Sequence, residues 1–220
     1  MNQAGTTVYL EPSYTGGNFY PLPFSPAGDA ILSFAFEGSG ATEIDVAANT
    51  PLRRFPKPNP DGAQAVYSRD GKQVLVGGYP LDVWRHSDAT LLSRLAPDTP
   101  LFPVPFMESL ALDPSGTTLA TCDNVGTLRL WNTTSWTLPL AAPAHTGRCH
   151  VAFSPDGARI VTSSEDSQVR VWRTSDLALL TTLPGTSLGS VLGVATTAAG
   201  ADVAAVQTAG GVYLYCLPTP

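Results

Sequence analysis

Lysine is almost missing from this chain: Lys57 and Lys72 are the only two in 220 residues, and twelve basic groups face eighteen acidic ones for a net charge of −6. A protein that follows a phosphate backbone carries a basic patch, so direct nucleic-acid binding is not expected. Cysteine is also scarce. Cys122, Cys149 and Cys216 are odd in number, far apart and without a Cys-x-x-Cys pair, which signals neither a disulfide framework nor a zinc site and fits a reducing compartment. Residues 1–12 lack the basic start and apolar run of a signal peptide. One stretch, 191–215, holds a single charge, Asp202. It is rich in Gly, Ala and Thr and broken by a turn at 198–201, which reads as two buried strands rather than a membrane span. Charged residues make up only 14% of the chain while hydrophobic ones make up 43%, a balance that excludes a disordered tail. Glycine and proline, by contrast, are abundant at 20 each, which opposes long helices and favours many short strands joined by turns. No window of a dozen residues shows a helical apolar stripe, so about twenty strands are expected.

The chain repeats itself. Five turn signals recur, Ser25-Pro26-Ala27-Gly28, Ser68-Arg69-Asp70-Gly71, Asp113-Pro114-Ser115-Gly116, Ser154-Pro155-Asp156-Gly157 and Thr197-Ala198-Ala199-Gly200, with their glycines 43, 45, 41 and 43 residues apart. Each lies between two short apolar runs, the pattern of strand, tight turn, strand. Trp131, Trp172 and Tyr215 follow their glycines by 15 residues and Trp84 follows Gly71 by 13, marking the end of a third strand. In Leu128-Arg129-Leu130-Trp131 and Val169-Arg170-Val171-Trp172 the alternation places Leu or Val on one face and Arg and Trp on the other. A weaker fourth segment, such as residues 177–183, closes each unit. Four strands every forty-odd residues predict a propeller blade. The units span approximately 14–55, 60–100, 106–143, 145–185 and 188–217 of one partial domain covering 1–220.

The fourth unit carries a family resemblance. His145, Phe153-Ser154-Pro155-Asp156-Gly157, Ser163-Ser164-Glu165-Asp166 and Val169-Arg170-Val171-Trp172 stand in the order of a WD repeat, and the chain resembles the WD40 β-propeller family. The resemblance implies a buried polar tetrad that ties the sheet together, formed by His145, Thr162 (or Ser164 on the same strand face), Asp166 and Trp172. These residues also spell a Ser/Thr, His, Asp set, but a nucleophile has to face a substrate pocket, whereas this set is expected inside a blade. Gly185-Thr186-Ser187-Leu188-Gly189 matches a nucleophile elbow by letters alone, since a strand pattern and not a helix follows it. No phosphate loop, dinucleotide fingerprint or metal-ligand cluster is present, so no catalytic residue, cofactor or metal is expected. His86 and His150 read as ordinary loop or strand-edge residues. The other units depart from the pattern: none has the His, Val125 stands where the third needs its Asp, Tyr215 replaces the last Trp, and the first ends in Ile44-Asp45-Val46 with no aromatic at that place.

The resemblance implies an interaction platform and not an enzyme. Leu10-Glu11-Pro12-Ser13-Tyr14-Thr15-Gly16-Gly17, Ile44-Asp45-Val46 and Pro51-Leu52-Arg53-Arg54-Phe55 further resemble the transducin-beta-like WD proteins of the small-subunit processome. That likeness implies a place in ribosomal RNA maturation and a nucleolar location; the alternative is a general WD adaptor in signalling or ubiquitin transfer, in the cytoplasm or nucleus. Partners are expected to be other proteins of a multi-subunit complex, with no membrane and no small-molecule substrate. Five units are fewer than the seven the family usually closes with, which predicts an incomplete ring: a fragment, a truncated reading frame, or a ring completed by another chain. Leu101, Phe102 and Phe106 in a proline-stiffened loop, and Trp136 in a turn where small residues are usual, are the candidate partner contacts. Asn132-Thr133-Thr134 spells a glycosylation acceptor, expected to stay unmodified without a secretory signal.

Overall fold

The computed structural model describes residues 23–34, 40–57, 64–96, 106–138, 140–183, 191–197, 203–208 and 211–216, the last three segments as backbone. Every regular element among them is a strand. The first antiparallel sheet runs β1 (Ala30–Phe34), β2 (Ala41–Asp45) and β3 (Pro51–Phe55); the second β4 (Ala65–Tyr67), β5 (Gln73–Val76), β6 (Leu81–Arg85) and β7 (Thr90–Leu95). The third holds β8 (Met107–Leu112), β9 (Thr118–Asp123), β10 (Thr127–Asn132) and β11 (Leu140–Pro143), and the fourth β12 (Cys149–Phe153), β13 (Arg159–Ser164), β14 (Val169–Arg173) and β15 (Leu179–Leu183). The fifth is β16 (Val191–Thr197), β17 (Val203–Thr208) and β18 (Gly211–Cys216). These are WD40-type blades in order around an arc that does not close into a ring among the described residues. The weakly charged stretch 191–215, expected as two strands, holds three. No described helix is long and apolar enough to cross a membrane.

Alternation along the strands assembles the core. Trp131 and Leu119 of the third sheet pack on Leu75, Leu81 and Val83 of the second, while Leu128 and Leu130 on the opposite face join Ile160, Phe153 and Trp172 of the fourth. Val74, Val76 and Trp84 pack in the same way on Leu32, Ala41 and Phe55 of the first sheet. Trp84, Trp131 and Trp172 therefore each face the preceding sheet, and burying these rings between sheets takes a large apolar area out of water.

The repeated turns have a local cause. The first residue of the turn captures the N–H five residues on: Ser68 Oγ accepts from Gln73 N at 2.9 Å, Ser154 Oγ from Arg159 N at 2.9 Å, and Asp113 Oδ1 from Thr118 N at 2.6 Å. Gly157 has φ +72°, and a Cβ there would come within 3.1 Å of Pro114 of the preceding turn, so the glycine serves both the backbone and the stacking of turn on turn. A second turn, before the last strand of each complete sheet, places Ala89, Trp136 and Leu177 at φ of +52°, +54° and +55°. All three pack back onto the core beside the tryptophan of their own sheet.

One expectation is overturned. Cys122 and Cys149 form a disulfide with their Cα atoms 5.4 Å apart, although no framework was legible in their spacing. Cys122 is the penultimate residue of β9, on the face toward the fourth sheet, and Cys149 begins β12 on the face toward the third, so the chain returns 27 positions later to bring the two cysteines together across the junction. Linear spacing carries no sign of such a meeting.

Candidate functional site

The polar chain of the fourth sheet begins at an indole. Trp172 stands opposite Ile160 and Thr162 opposite Arg170, so the indole Nε1 reaches diagonally to Thr162 Oγ1 at 2.8 Å. Thr162 Oγ1 lies 2.8 Å from His145 Nε2, and His145 Nδ1 lies 3.0 and 3.1 Å from the two oxygens of Asp166. An indole nitrogen only donates and an ionised carboxylate only accepts, which gives the chain one direction: Trp172 to Thr162, the Thr162 hydroxyl to Nε2, and Nδ1–H to Asp166. The tautomer is assigned from these partners. Arg170 Nη1 directs its hydrogens at the Ala144 carbonyl and at Asp166 Oδ2, 3.3 Å away, and through that shared carboxylate lies 2.9 Å from Nδ1. Ser164, the other hydroxyl considered, instead accepts the Asp166 N–H at 3.2 Å.

Burial sets the ionisation here. It holds the His145 imidazole below its ordinary value despite the Asp166 charge. Burial alone would raise Asp166, but the Gln168 N–H bond and the His145 and Arg170 interactions outweigh it, and the carboxyl sits below the usual range. The side chain of His145 is fully buried and the Thr162 hydroxyl is committed at both ends, so this Thr, His, Asp set ties strands together and presents no nucleophile.

Two other sheets carry altered versions. In the third, Trp131 Nε1 donates to Thr121 Oγ1 at 3.0 Å, and the carboxylate missing at Val125 is supplied two residues earlier: buried Asp123 pairs with Arg129 and accepts the Thr127 N–H at 2.7 Å. In the second, Val76 opposes Asp82 where Thr162 opposes Arg170. Without that hydroxyl, Trp84 Nε1 and Asp82 Oδ2 are buried with no hydrogen-bond partner among the described residues. Lys57, which follows β3 as His145 follows β11, hydrogen-bonds the Pro80 carbonyl and lies 3.8 Å from Asp82 Oδ2; burial brings its ammonium down to about 8 against the opposing pull of Asp82. His86 also does more than its sequence context indicates. Its Nε2 meets Glu43 of the first sheet at 2.6 Å and its Nδ1 the Gly71 carbonyl at 2.8 Å, while the same carboxylate holds Tyr67 and Arg53.

The loops between second and third strands, and those joining one sheet to the next, carry an exposed ionic cluster. Arg148 lies 3.5 Å from Glu108 and 3.9 Å from Glu165, and both Arg148 and Glu165 expose about half of their side chains. Glu108 is the second residue of β8 and is pushed up by burial, an effect Arg148 opposes. Half-buried Phe106 is fixed beside it by reciprocal bonds with Asn124, Phe106 N to Asn124 Oδ1 at 2.9 Å and Asn124 N to Phe106 O at 3.0 Å. Leu101, Phe102 and the motif at 185–189 lie outside the described residues. Trp136 does not join this cluster; it is half-buried at the other turn, on the core around Trp131. Sequence reading singled out none of Arg148, Glu108 or Glu165, because isolated charges in loops carry no periodic signal.

Residues 137–173 match the family described as WD domain, G-beta repeat. That span contains His145, Thr162, Asp166 and Trp172 together. No curated protein matches the chain.

Proposed function

We propose that the chain is a non-enzymatic scaffold that binds other proteins through the loop end bearing Phe106, Glu108, Arg148 and Glu165. The observation that carries this reading is the contrast between two polar groups: the tetrad is spent internally, while Arg148 extends half-exposed from the loop joining the third and fourth sheets and Glu165 from the β13–β14 loop of the fourth. Charged, partly buried groups on rigid sheets give partner selectivity and orientation, and a WD-type repeat supports an interaction role in general terms. The finer reading, membership of a multi-subunit assembly that matures small-subunit ribosomal RNA, rests on the residue resemblance at 10–17 and in the first unit. It places the protein in the nucleolus, bound to protein partners rather than to RNA directly.

The test is affinity capture of the tagged full chain from its own cells, beside an Arg148→Glu variant, with blotting for small-subunit assembly proteins and precursor ribosomal RNA. The proposal expects both with the native chain, a severalfold loss with the variant, and loss of RNA after the protein partners are removed by salt. Capture of other proteins without ribosomal precursors would leave the general adaptor. Identical sets with native chain and variant would overturn the assignment of this loop end.

A further inference from the structure

We propose that Cys122 and Cys149 are a redox-set latch between the third and fourth sheets. Their sulfur atoms sit inside the apolar junction, among Leu128, Val151 and Phe153, and both residues are fully buried. The two positions bracket one end of the molecule: Cys122 is two residues before the turn at 124–126, and Cys149 directly follows the loop at 145–148 that supplies His145 and Arg148. Closing the bond fixes the spacing of those loops. Opening it leaves two thiols that behave as small apolar groups in an apolar cluster, so the junction tolerates both states. A structural role alone would be met by any apolar pair here; two cysteines at bonding distance add a response to the thiol balance of the surroundings.

The oxidant required is a low-molecular-weight disulfide such as glutathione disulfide. One protein thiolate attacks it and expels one glutathione thiol; the second protein thiolate then displaces the other glutathione. Two protein S–H bonds and one glutathione S–S bond become one protein S–S bond and two glutathione thiols. Because both sulfurs are buried, exchange follows transient parting of the two sheets and is slow in the folded protein.

The experiment uses the full chain equilibrated with glutathione disulfide or with dithiothreitol, unfolded in the presence of iodoacetamide, and weighed. Of the three cysteines, the oxidised native chain takes up one label and the reduced chain three. A Cys216→Ala variant takes up none when oxidised, which distinguishes the Cys122–Cys149 bond from one through Cys216. Dithiothreitol lowers the melting temperature of the native chain by on the order of 10 °C, the scale for a closed loop of this length, and leaves Cys149→Ala unchanged. Hydrogen exchange at 124–126 and 145–148 rises on reduction. Three labels on the oxidised chain, or equal melting of the native chain with and without dithiothreitol, would overturn the latch.

Discussion

A hydroxyl one strand away decides whether a buried tryptophan is satisfied. Thr162 and Thr121 accept the indole protons of Trp172 and Trp131, whereas Val76 leaves that of Trp84, and Asp82 Oδ2 beside it, without a hydrogen bond. Val→Thr in a core ordinarily destabilises, since it buries a hydroxyl. Here the register supplies both partners, and Val76→Thr is expected to stabilise by about 1 kcal/mol, seen as a higher urea midpoint; a lower midpoint would refute the pairing. Conversely, His145→Ala or Asp166→Ala strands a buried partner and should destabilise by about 1–3 kcal/mol, while an ester-hydrolysis assay stays at background for both the variants and the native chain. His150 provides a pH test. Burial, reinforced by Arg148, holds its imidazole at about 4 against an ordinary 6.5. The unfolded chain takes up the proton first, so this contribution is complete above 6.5 and is lost as the pH falls toward 4, with His145 acting in the same direction. The urea midpoint should fall over that range, and fall less in His150→Gln.

Turns link these residues to the strands, and glycines in similar backbone conformations carry unequal loads. Gly28 has φ +77° and a Cβ there would meet nothing within 4 Å; Gly126 has φ +86° and a Cβ there would come within 2.1 Å of the His145 carbonyl oxygen. Gly28→Ala should therefore show the left-handed backbone cost alone, about 1 kcal/mol, and Gly126→Ala that cost plus a displaced His145 loop, on the order of 3 kcal/mol or more. Chemical denaturation of the two variants side by side measures the difference; equal losses would remove the close contact from the account. The strand order and tight turns were legible because Ser or Asp followed by Gly repeats with an aromatic at fixed distance, and the fourth sheet's tetrad because all four residues are present. Other features were hidden by geometry. Asp123 replaces the expected carboxylate from a position two residues earlier, Lys57 stands where a histidine was sought, and the Cys122–Cys149 pair meets only once β9 and β12 lie side by side. Each depends on the third dimension, to which linear spacing is blind.

At the scale of the whole molecule, the described residues form an arc whose two end sheets differ from the inner three. Among the described residues the sheet β1–β3 packs against a neighbour through β4, and the sheet β16–β18 against β12 and β13, and the two end sheets do not pack together to close a ring. Inner sheets bury a tryptophan face against one neighbour and a Leu or Val face against the next, and this two-sided cover keeps propeller edges short and protected. An end sheet has such cover on one side. The fifth unit also has little charge to oppose association, since Asp202 is the single charged residue from 200 to 220. The isolated chain is thus expected to self-associate, its light-scattering mass rising above that of one chain as concentration increases, with a broad melting transition that sharpens as association proceeds. Size-exclusion chromatography with in-line light scattering across a hundredfold range of concentration makes the measurement. A concentration-independent monomer with one sharp transition would mean that the end sheets are covered within a single chain, and an account based on an open arc would then fail.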